Sequence, residues 1–433
     1  MIGRAAATTR LFFIAFSPEG SQPGDDTRLA SLLARRGPFP MPELNRRDFL
    51  AVLGAGAAML AASPQSANSA SPSTPIKPIS GSWFEFQHPS TVEGVDWNST
   101  CARFTGQQWD AKIKEIAQVG MEYLVLMGTG LYYRSFVPTR ISSGWPLACA
   151  DPLEAVLSAA DKYGVKFFIG AGFYGDWESP NTISDPVAAK KRLQAIAEIT
   201  RLYSHHRSFY GWYWPDEIEI IPRFTKQYIQ YVNTSSRLAR QLTPKARILI
   251  APYGTRFAVP DDEYVRQLAA LDVDIIAYQD EVGVRKSRVE ETPAYYEGLK
   301  KAHDRAQRAA IWADVEIFEF EGALKKSLPP PTFLDRVIRQ SETLSPSLAK
   351  IMEGFELGAG VYASALLPAS FERVLRQLGA VSPWVDKILV YQYQGMMNEP
   401  GSAAFCGSPE STNLYTAYVN WLHAQRQGTM KES

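Results

Sequence analysis

A short run of β-branched and aromatic residues followed by an amphipathic stretch recurs about every 40 residues from residue 79 onward. The runs that we predict as strands are residues 83–87, 123–127, 167–171, 209–214, 248–252, 275–279, 310–315 and 388–392. The stretches between them carry helix signals: in Asp151-Pro152-Leu153-Glu154 an N-cap residue precedes a proline suited to the first helical position. Strands that alternate with helices predict a parallel sheet, and eight of them fit a closed (β/α)8 barrel better than an open doubly wound sheet.

The overall composition excludes several classes of partner. The chain has 433 residues, 45% of them apolar, which suffices for one large core. Lysine and arginine together number 45, as do aspartate and glutamate, and no long basic block is present that would neutralise a phosphate backbone. We therefore expect no nucleic acid partner. No G-x-G-x-x-G motif follows the first predicted strand, and we expect no cofactor.

Histidine and cysteine are sparse. The histidines contain neither an H-x-H nor an H-E-x-x-H pair, so the sequence predicts no metal site and argues against a metal-dependent hydrolase. The pair His205-His206 precedes the fourth predicted strand, at the barrel end opposite the expected active site, where a structural role is favoured. The cysteines Cys101, Cys149 and Cys406 leave one disulfide or three free thiols equally open.

The N-terminal part of the chain carries targeting features. Asn45-Arg46-Arg47-Asp48-Phe49-Leu50, followed by the Ala-rich and Gly-rich residues 51–62, resembles a twin-arginine export signal. We predict a cleavable signal at residues 41–70, an upstream extension or misplaced start at residues 1–40, and a linker at residues 71–78. The apolar run is shorter than the roughly 20 residues that span a bilayer, so no stable membrane anchor is expected.

These features predict where the chain is folded and where it acts. The barrel is expected at residues 79–427, followed by a short tail at residues 428–433. The resemblance to a twin-arginine signal implies that the export machinery of that route is a transient partner. A periplasmic or secreted location follows from it.

Acidic and aromatic residues cluster where the predicted strands end. In a (β/α)8 barrel the reactive groups lie at the C-terminal ends of the strands. At or near these ends lie the candidate site residues His88, Tyr174, Trp177, Trp214, Asp216, Glu217, Tyr253, Tyr278, Gln279, Asp280, Trp312, Asp314, Glu316, Tyr391 and Tyr393. The tryptophans are candidates for stacking on sugar rings, although burial in the barrel core explains them equally well. Strands four, six and seven each bring acids to one rim, and such crowding of like charges marks a functional site.

Glu217 and Glu316 are the strongest candidates for a catalytic pair. Hydrolysis of a glycosidic bond needs one carboxyl group as proton donor and a second as nucleophile or base. Each residue follows an apolar strand, where partial burial raises a carboxyl pKa toward that of a general acid. The sequence therefore predicts a glycoside hydrolase of poly- or oligosaccharides, retaining or inverting. A noncatalytic carbohydrate-binding barrel, or an accessory barrel of polysaccharide export, is the alternative.

Three segments resemble a known family. Residues 211–219 (GWYWPDEIE), 278–283 (YQDEVG) and 312–318 (WADVEIF) are similar to the bacterial domain of unknown function 4434, which is regarded as a glycosidase-like barrel. The resemblance extends over about residues 80 to 425 and implies the barrel fold. It also raises Asp280 as a rival to Glu316 for the second carboxylate, because the Gln-Asp pair belongs to the same signature.

A more distant resemblance bears on the roles of the acids. A glutamate after strand four and another after strand seven is the arrangement of the retaining glycosidases of clan A. This resemblance implies that Glu217 is the acid/base and Glu316 the nucleophile, and that Tyr278 steadies the nucleophile. The clan usually carries Asn before the acid/base, whereas this chain carries Asp216 there, and an ionised aspartate only accepts hydrogen bonds.

Overall fold

The computed structural model describes residues 75–90, 95–97, 99–175, 182–320 and 366–429. The predicted extension, the export signal and the first half of the linker lie outside these ranges, so their assignment stays a prediction. Among the helices in these ranges, none is long and apolar enough to cross a membrane.

Eight parallel strands form a closed barrel, which confirms the fold predicted from the sequence. The strands are β1 Gly81–Phe84, β2 Tyr123–Leu126, β3 Lys166–Gly170, β4 Phe209–Tyr213, β5 Arg247–Ile250, β6 Ile275–Gln279, β7 Ala310–Glu316 and β8 Lys387–Tyr391. Each strand pairs with its neighbours in chain order, and β8 pairs with β1 to close the ring. The C-terminal ends of all eight strands therefore face the same end of the molecule.

Helices follow the strands and cover the barrel. They are α1 Gly106–Gln118, α2 Pro152–Tyr163, α3 Pro186–Tyr203, α4 Lys226–Leu242, α5 Asp262–Ala270, α6 Thr292–Ala306, α7 Phe371–Val381, α8 Tyr393–Met396 and α9 Ser411–Thr429, with 3-10 turns at Ser99–Arg103 and Thr255–Phe257. Helix α2 begins where the sequence predicts. Asp151 is its N-cap, and the Asp151 side chain accepts a hydrogen bond from the backbone N–H of Glu154 at 3.1 Å. The helix ends at Gly164, whose φ of 78° suits a residue without a side chain.

Short antiparallel strand pairs extend the loops after β1, β2 and β7. They pair His88–Ser90 with Val95–Trp97, Gly130–Leu131 with Arg134–Ser135, and Phe318–Phe320 with Leu366–Pro368. Because these loops leave the C-terminal ends of the strands, the added structure surrounds the end of the barrel where an active site is expected.

Large aromatic side chains fill the barrel interior. Trp312, near the start of β7, packs against Tyr123 of β2 and Phe168 of β3, with ring centroids 5.0 and 6.0 Å away. Trp83 of β1 contacts Tyr213 of β4 with ring centroids 4.8 Å apart. These strands are not neighbours in the barrel, so the contacts cross its interior and close it below the C-terminal end.

A buried polar network joins α1 to the segment after β8. The Lys112 ammonium, in α1, donates to the Glu115 carboxylate at 3.0 Å and to the Asn398 side chain at 2.8 Å. The Tyr393 hydroxyl donates to the same carboxylate at 2.7 Å. All four side chains are buried. The network ties the two ends of the barrel sequence together, next to the closing contact between β1 and β8.

Candidate active site

Glu217 lies four residues beyond β4 and is held from two sides. Its side chain is buried, and its two carboxyl oxygens accept hydrogen bonds from the Tyr213 hydroxyl at 2.6 Å and from the Gln279 amide at 2.7 Å. Burial raises the pKa of Glu217 to about 8, although both hydrogen bonds act to lower it. Glu217 therefore keeps its proton at neutral pH and is able to donate it.

Glu316 is the last residue of β7 and is also buried. Its Oε2 accepts a hydrogen bond from the backbone N–H of Val284 at 2.7 Å. The loop after β6 approaches so closely that a Cβ on Gly283 would lie 2.7 Å from the Glu316 Cβ, which explains the glycine there. Burial and the neighbouring charge of Asp280 raise the pKa of Glu316 well above its usual range.

Asp280 follows β6 and holds the ends of two strands together. Its Oδ1 accepts from the backbone N–H groups of Val282 at 3.2 Å and Glu316 at 3.1 Å, and its Oδ2 accepts from the Gln377 amide at 2.7 Å. Burial raises the pKa of Asp280 to about 6, against the lowering effect of these hydrogen bonds. Asp280 accepts from three donors of the protein, one of which is the Glu316 backbone, so it suits the positioning of Glu316 better than attack on a substrate.

Gln377 is a site residue that sequence reasoning missed. It lies in α7, is buried, and donates to the Glu316 carbonyl oxygen at 3.1 Å as well as to Asp280. The sequence does place the Gln377 amide on the apolar face of an amphipathic helix. Because buried polar groups need hydrogen-bond partners, that position indicates a polar contact in the interior. Its partners lie in distant parts of the chain, and nothing local in the sequence identifies them.

Asp314 lies between the acids of β4 and β7. It precedes Glu316 by two residues in the same strand, so both side chains point to the barrel interior. Burial, together with the charges of Glu217, Glu316 and Asp280, raises the pKa of Asp314 well above its usual range. The Trp83 indole N–H, which points toward the Asp314 carboxyl, acts to lower that pKa. The acids predicted from three strands therefore meet at one end of the barrel.

A second polar cluster joins the ends of β1 and β8. The sequence predicts Glu85 within the first strand, but β1 ends at Phe84 and Glu85 follows it. Its carboxylate accepts from the Gln392 amide at 2.6 Å and lies 2.9 Å from His88 Nδ1. The Tyr391 hydroxyl lies 3.4 Å from the same nitrogen. Burial is the main cause of the raised pKa of Tyr391, and the charges of Glu85, Glu217 and Asp314 raise it further. This polar cluster therefore lies beside Glu217 and Asp314.

Trp214 and Tyr278 face the surrounding helices instead of the barrel mouth. The Trp214 indole N–H donates to the Ser236 hydroxyl of α4 at 3.0 Å, and Trp214 is fully buried. The Tyr278 hydroxyl lies 3.0 Å from the Tyr264 hydroxyl and 2.9 Å from His303 Nε2. Neither side chain is able to contact a sugar or the nucleophile from there. The predicted roles of Trp214 and Tyr278 are therefore corrected to structural ones.

Trp312 and Tyr393 also lie away from the rim. Trp312 forms part of the aromatic packing in the barrel interior, with 5% of its surface exposed. The Tyr393 hydroxyl is bonded to Glu115 of α1, in the network outside the strands. Their predicted contact with substrate is not supported by these positions.

The remaining candidates lie in the loops after β3, β4 and β5, or outside the described residues. Tyr174 and Tyr253 are buried, and the Tyr174 hydroxyl lies 3.3 Å from the Thr129 hydroxyl. The backbone N–H of Asp216 donates to the Tyr231 hydroxyl at 3.3 Å. Burial raises the pKa of the Asp216 carboxyl, against the lowering effect of the Arg192 charge. Trp177 lies outside the described residues, and its role stays a prediction.

Comparisons with known proteins agree with the barrel. The sequence model of the family described as "Domain of unknown function (DUF4434)" matches residues 79–359. A crystal structure from Bacteroides thetaiotaomicron, described as a candidate alpha-L-fucosidase, is 17% identical with a TM-score of 0.55, over 80% of this chain and 93% of that one. The endo-beta-1,4-mannanase of Thermotoga petrophila is 9% identical with a TM-score of 0.45, over 80% and 77% of the two chains. No curated protein matches the chain. At 17% identity, the similarity to the Bacteroides thetaiotaomicron structure bears on the fold alone.

Proposed function

This chain belongs to the DUF4434 family. We propose that it is a glycoside hydrolase that uses two of its own carboxyl groups to cleave a poly- or oligosaccharide. The observation that carries the proposal is a buried, protonated Glu217 held at the same barrel end as Glu316. One carboxyl that retains its proton and a second at the same end of the barrel are the groups that this reaction requires.

Glu217 is the proton donor. Its two hydrogen bonds, from Tyr213 and Gln279, fix the carboxyl group while burial keeps it protonated. Transfer of that proton to the glycosidic oxygen lets the leaving sugar depart as an alcohol, and in a retaining reaction the charge left on Glu217 makes it the base for the second step.

Glu316 is the second carboxyl group, as nucleophile or as base. The Val284 N–H fixes Oε2, and the Asp280 carboxylate fixes the Glu316 backbone through its N–H. Glu316 must lose its proton before it acts. That proton passes to solvent before the substrate binds, against the burial and the Asp280 charge that raise the Glu316 pKa, and the carboxylate then stabilises the positive charge that develops on the sugar ring.

We also infer that the substrate is met outside the cytoplasm, because residues 46–50 resemble a twin-arginine signal. Cell fractionation tests this inference. The chain is expected in the periplasm or medium, and a variant with Arg46→Lys and Arg47→Lys is expected to stay in the cytoplasm. Export that is unaffected by the paired substitution contradicts the inference.

A glycan screen tests the proposed activity. The purified chain is incubated with a panel of aryl glycosides and polysaccharides, and released reducing ends are measured beside direct binding of the same glycans. We expect turnover of at least one glycan. Binding without any turnover across the panel supports the noncatalytic barrel and overturns the hydrolase.

A further inference from the structure

A compact group of metal-ligand side chains lies at the barrel end opposite the candidate active site. His205 and His206 lie between the end of α3 and the start of β4, and Glu154 lies in the first turn of α2. One ligand atom from each of the three residues can be chosen so that all lie within 4.8 Å of one another. The strands begin at this end, so the group is separate from the acids of the rim.

The two ring nitrogens of His206 have distinct surroundings. The ring is 8% exposed, with Nε2 3.0 Å from Glu154 Oε2 and Nδ1 2.8 Å from Asp161 Oδ2. Asp161 is itself fixed, because its Oδ1 accepts from the Ser208 backbone N–H at 2.6 Å. A carboxylate on the far nitrogen of a histidine is the usual way in which proteins orient a metal-binding imidazole.

The other two side chains fit the same arrangement. Glu154 Oε1 accepts from the Ser158 hydroxyl at 3.0 Å, which directs Oε2 toward His206. His205 is exposed, and its ring centroid lies 4.2 Å from that of His206. Tetrahedral zinc, with bonds of about 2.0–2.2 Å to nitrogen and oxygen, holds its ligand atoms about 3.3 Å apart. His205 is exposed, so its side chain has room to rotate toward that spacing from a ligand atom that already lies within 4.8 Å of the other two.

We propose that Glu154, His205 and His206 bind one zinc ion, or a similar divalent transition metal, with Asp161 orienting His206. Two imidazoles and one carboxylate are a common ligand set for zinc, and water completes the tetrahedron at this exposed edge. Because α2 supplies Glu154 and the segment before β4 supplies both histidines, the ion links α2 to that segment and stabilises the fold. The competing account is a metal-free ion pair of protonated His206 with its two carboxylates.

Zinc titration of the protein, freed of metal by a chelator, separates the two accounts. We expect calorimetry to show one zinc ion per chain, and the melting temperature to rise with zinc concentration, since a ligand of the native state stabilises it. His205→Ala is expected to abolish both effects. Asp161→Asn is expected to weaken zinc binding by about 10- to 100-fold. His423→Ala, at an exposed histidine of α9, is the matched control and keeps wild-type binding.

Two results overturn the proposal. One is a wild-type protein that shows neither stoichiometric heat nor a zinc-dependent melting temperature. The other is binding that survives His205→Ala undiminished. His205 is exposed, so this variant is expected to fold, and its melting temperature in chelator checks that. Glu154→Gln, which keeps the shape of the side chain and removes its charge, provides a second variant for the same titration.

Discussion

At the residue scale, the chemistry of Glu217 depends on a balance between burial and two hydrogen bonds. Burial favours the neutral carboxyl group, while the donors Tyr213 and Gln279 favour the charged one. The resulting pKa of about 8 lets Glu217 donate a proton at neutral pH and lose it in the course of a reaction. A fully apolar pocket would hold the proton too tightly, and a pocket with more donors would release it too early.

Replacing Tyr213 by Phe shifts this balance in a predictable direction. The change removes the hydroxyl that donates to Glu217 and keeps the ring that packs against Trp83. Loss of a hydrogen bond to the charged form raises the Glu217 pKa further. In wild type we expect kcat/KM to fall as the pH rises through about 8, where Glu217 loses its proton. In Tyr213→Phe that alkaline limb is expected at higher pH, and a limb that stays in place or moves down contradicts the account.

The direction in which strand residues point explains several errors at this scale. Neighbouring residues in a strand face opposite sides, so Tyr213 and Gln279 enter the barrel while Trp214 and Tyr278 pack on helices. Tyr213, Trp214 and Tyr278 are all aromatic, as expected where a parallel strand is buried on both faces, so the pattern does not reveal which of them point inward. The acids Glu217, Asp314 and Glu316 were identifiable, because charge on a buried strand end is unusual whichever way it points.

At the scale of elements, the second carboxyl group is positioned by a contact among β6, β7 and α7. Asp280 accepts from the Glu316 backbone, and Gln377 donates to both the Asp280 carboxylate and the Glu316 carbonyl. The helix thereby fixes where β7 ends and where the Glu316 side chain begins. A shift of this contact would move Glu316 relative to Glu217, and small displacements of a catalytic group cost large factors in rate.

Gln377→Leu tests this contact. The substitution removes the donor that holds the Asp280 carboxylate and the Glu316 carbonyl, so we expect Glu316 to be placed less well and kcat to fall. Unfolding in urea is expected to require about 1–3 kcal/mol less, because two buried acceptors lose a donor. Gln230→Leu, at an exposed position of α4, is the control. A stability loss of this size with an unchanged kcat would assign Gln377 a purely structural role.

The positions of the strands could be predicted because each is a short apolar run bounded by helix signals. The predicted and observed strands agree closely, as for residues 275–279, which are β6. The end of β1 was placed too late, at residue 87 instead of Phe84, since Glu85, Phe86 and Gln87 continue the alternating pattern. Because of that error, Glu85 was not predicted as a site residue. It follows the strand, and its carboxylate accepts a hydrogen bond from Gln392 in the loop after β8.

At the scale of the whole molecule, closure of the barrel depends on contacts between the two ends of the folded sequence. Lys112 and Asn398 are separated by 286 positions along the chain, yet the ammonium group lies 2.8 Å from the amide oxygen. Sequence patterns record periodicity within a segment and contain no information about such distant pairs. The fold class was therefore predictable, whereas this network, like the Asp280 and Gln377 contact, required the structure.

Lys112→Met tests how much this network contributes to stability. The substitution leaves the buried Glu115 carboxylate without its cation, and we expect unfolding in urea to require about 3–5 kcal/mol less. Lys162→Met is a matched control, because Lys162 pairs with Asp110 where both side chains are largely exposed, and it is expected to cost at most about 1 kcal/mol. Equal losses in the two variants would contradict a role of the network in closing the barrel.

The central claim is that Glu217 transfers a proton during glycoside hydrolysis, and Glu217→Gln tests it most directly. On any glycan that the wild-type chain hydrolyses, we expect kcat/KM to fall by about 10²- to 10⁴-fold, the usual contribution of a general acid. Glycan binding and the melting temperature are expected to be retained, and Glu263→Gln, at an exposed glutamate of α5, is expected to change neither activity nor stability. Turnover by Glu217→Gln equal to that of wild type would contradict the account.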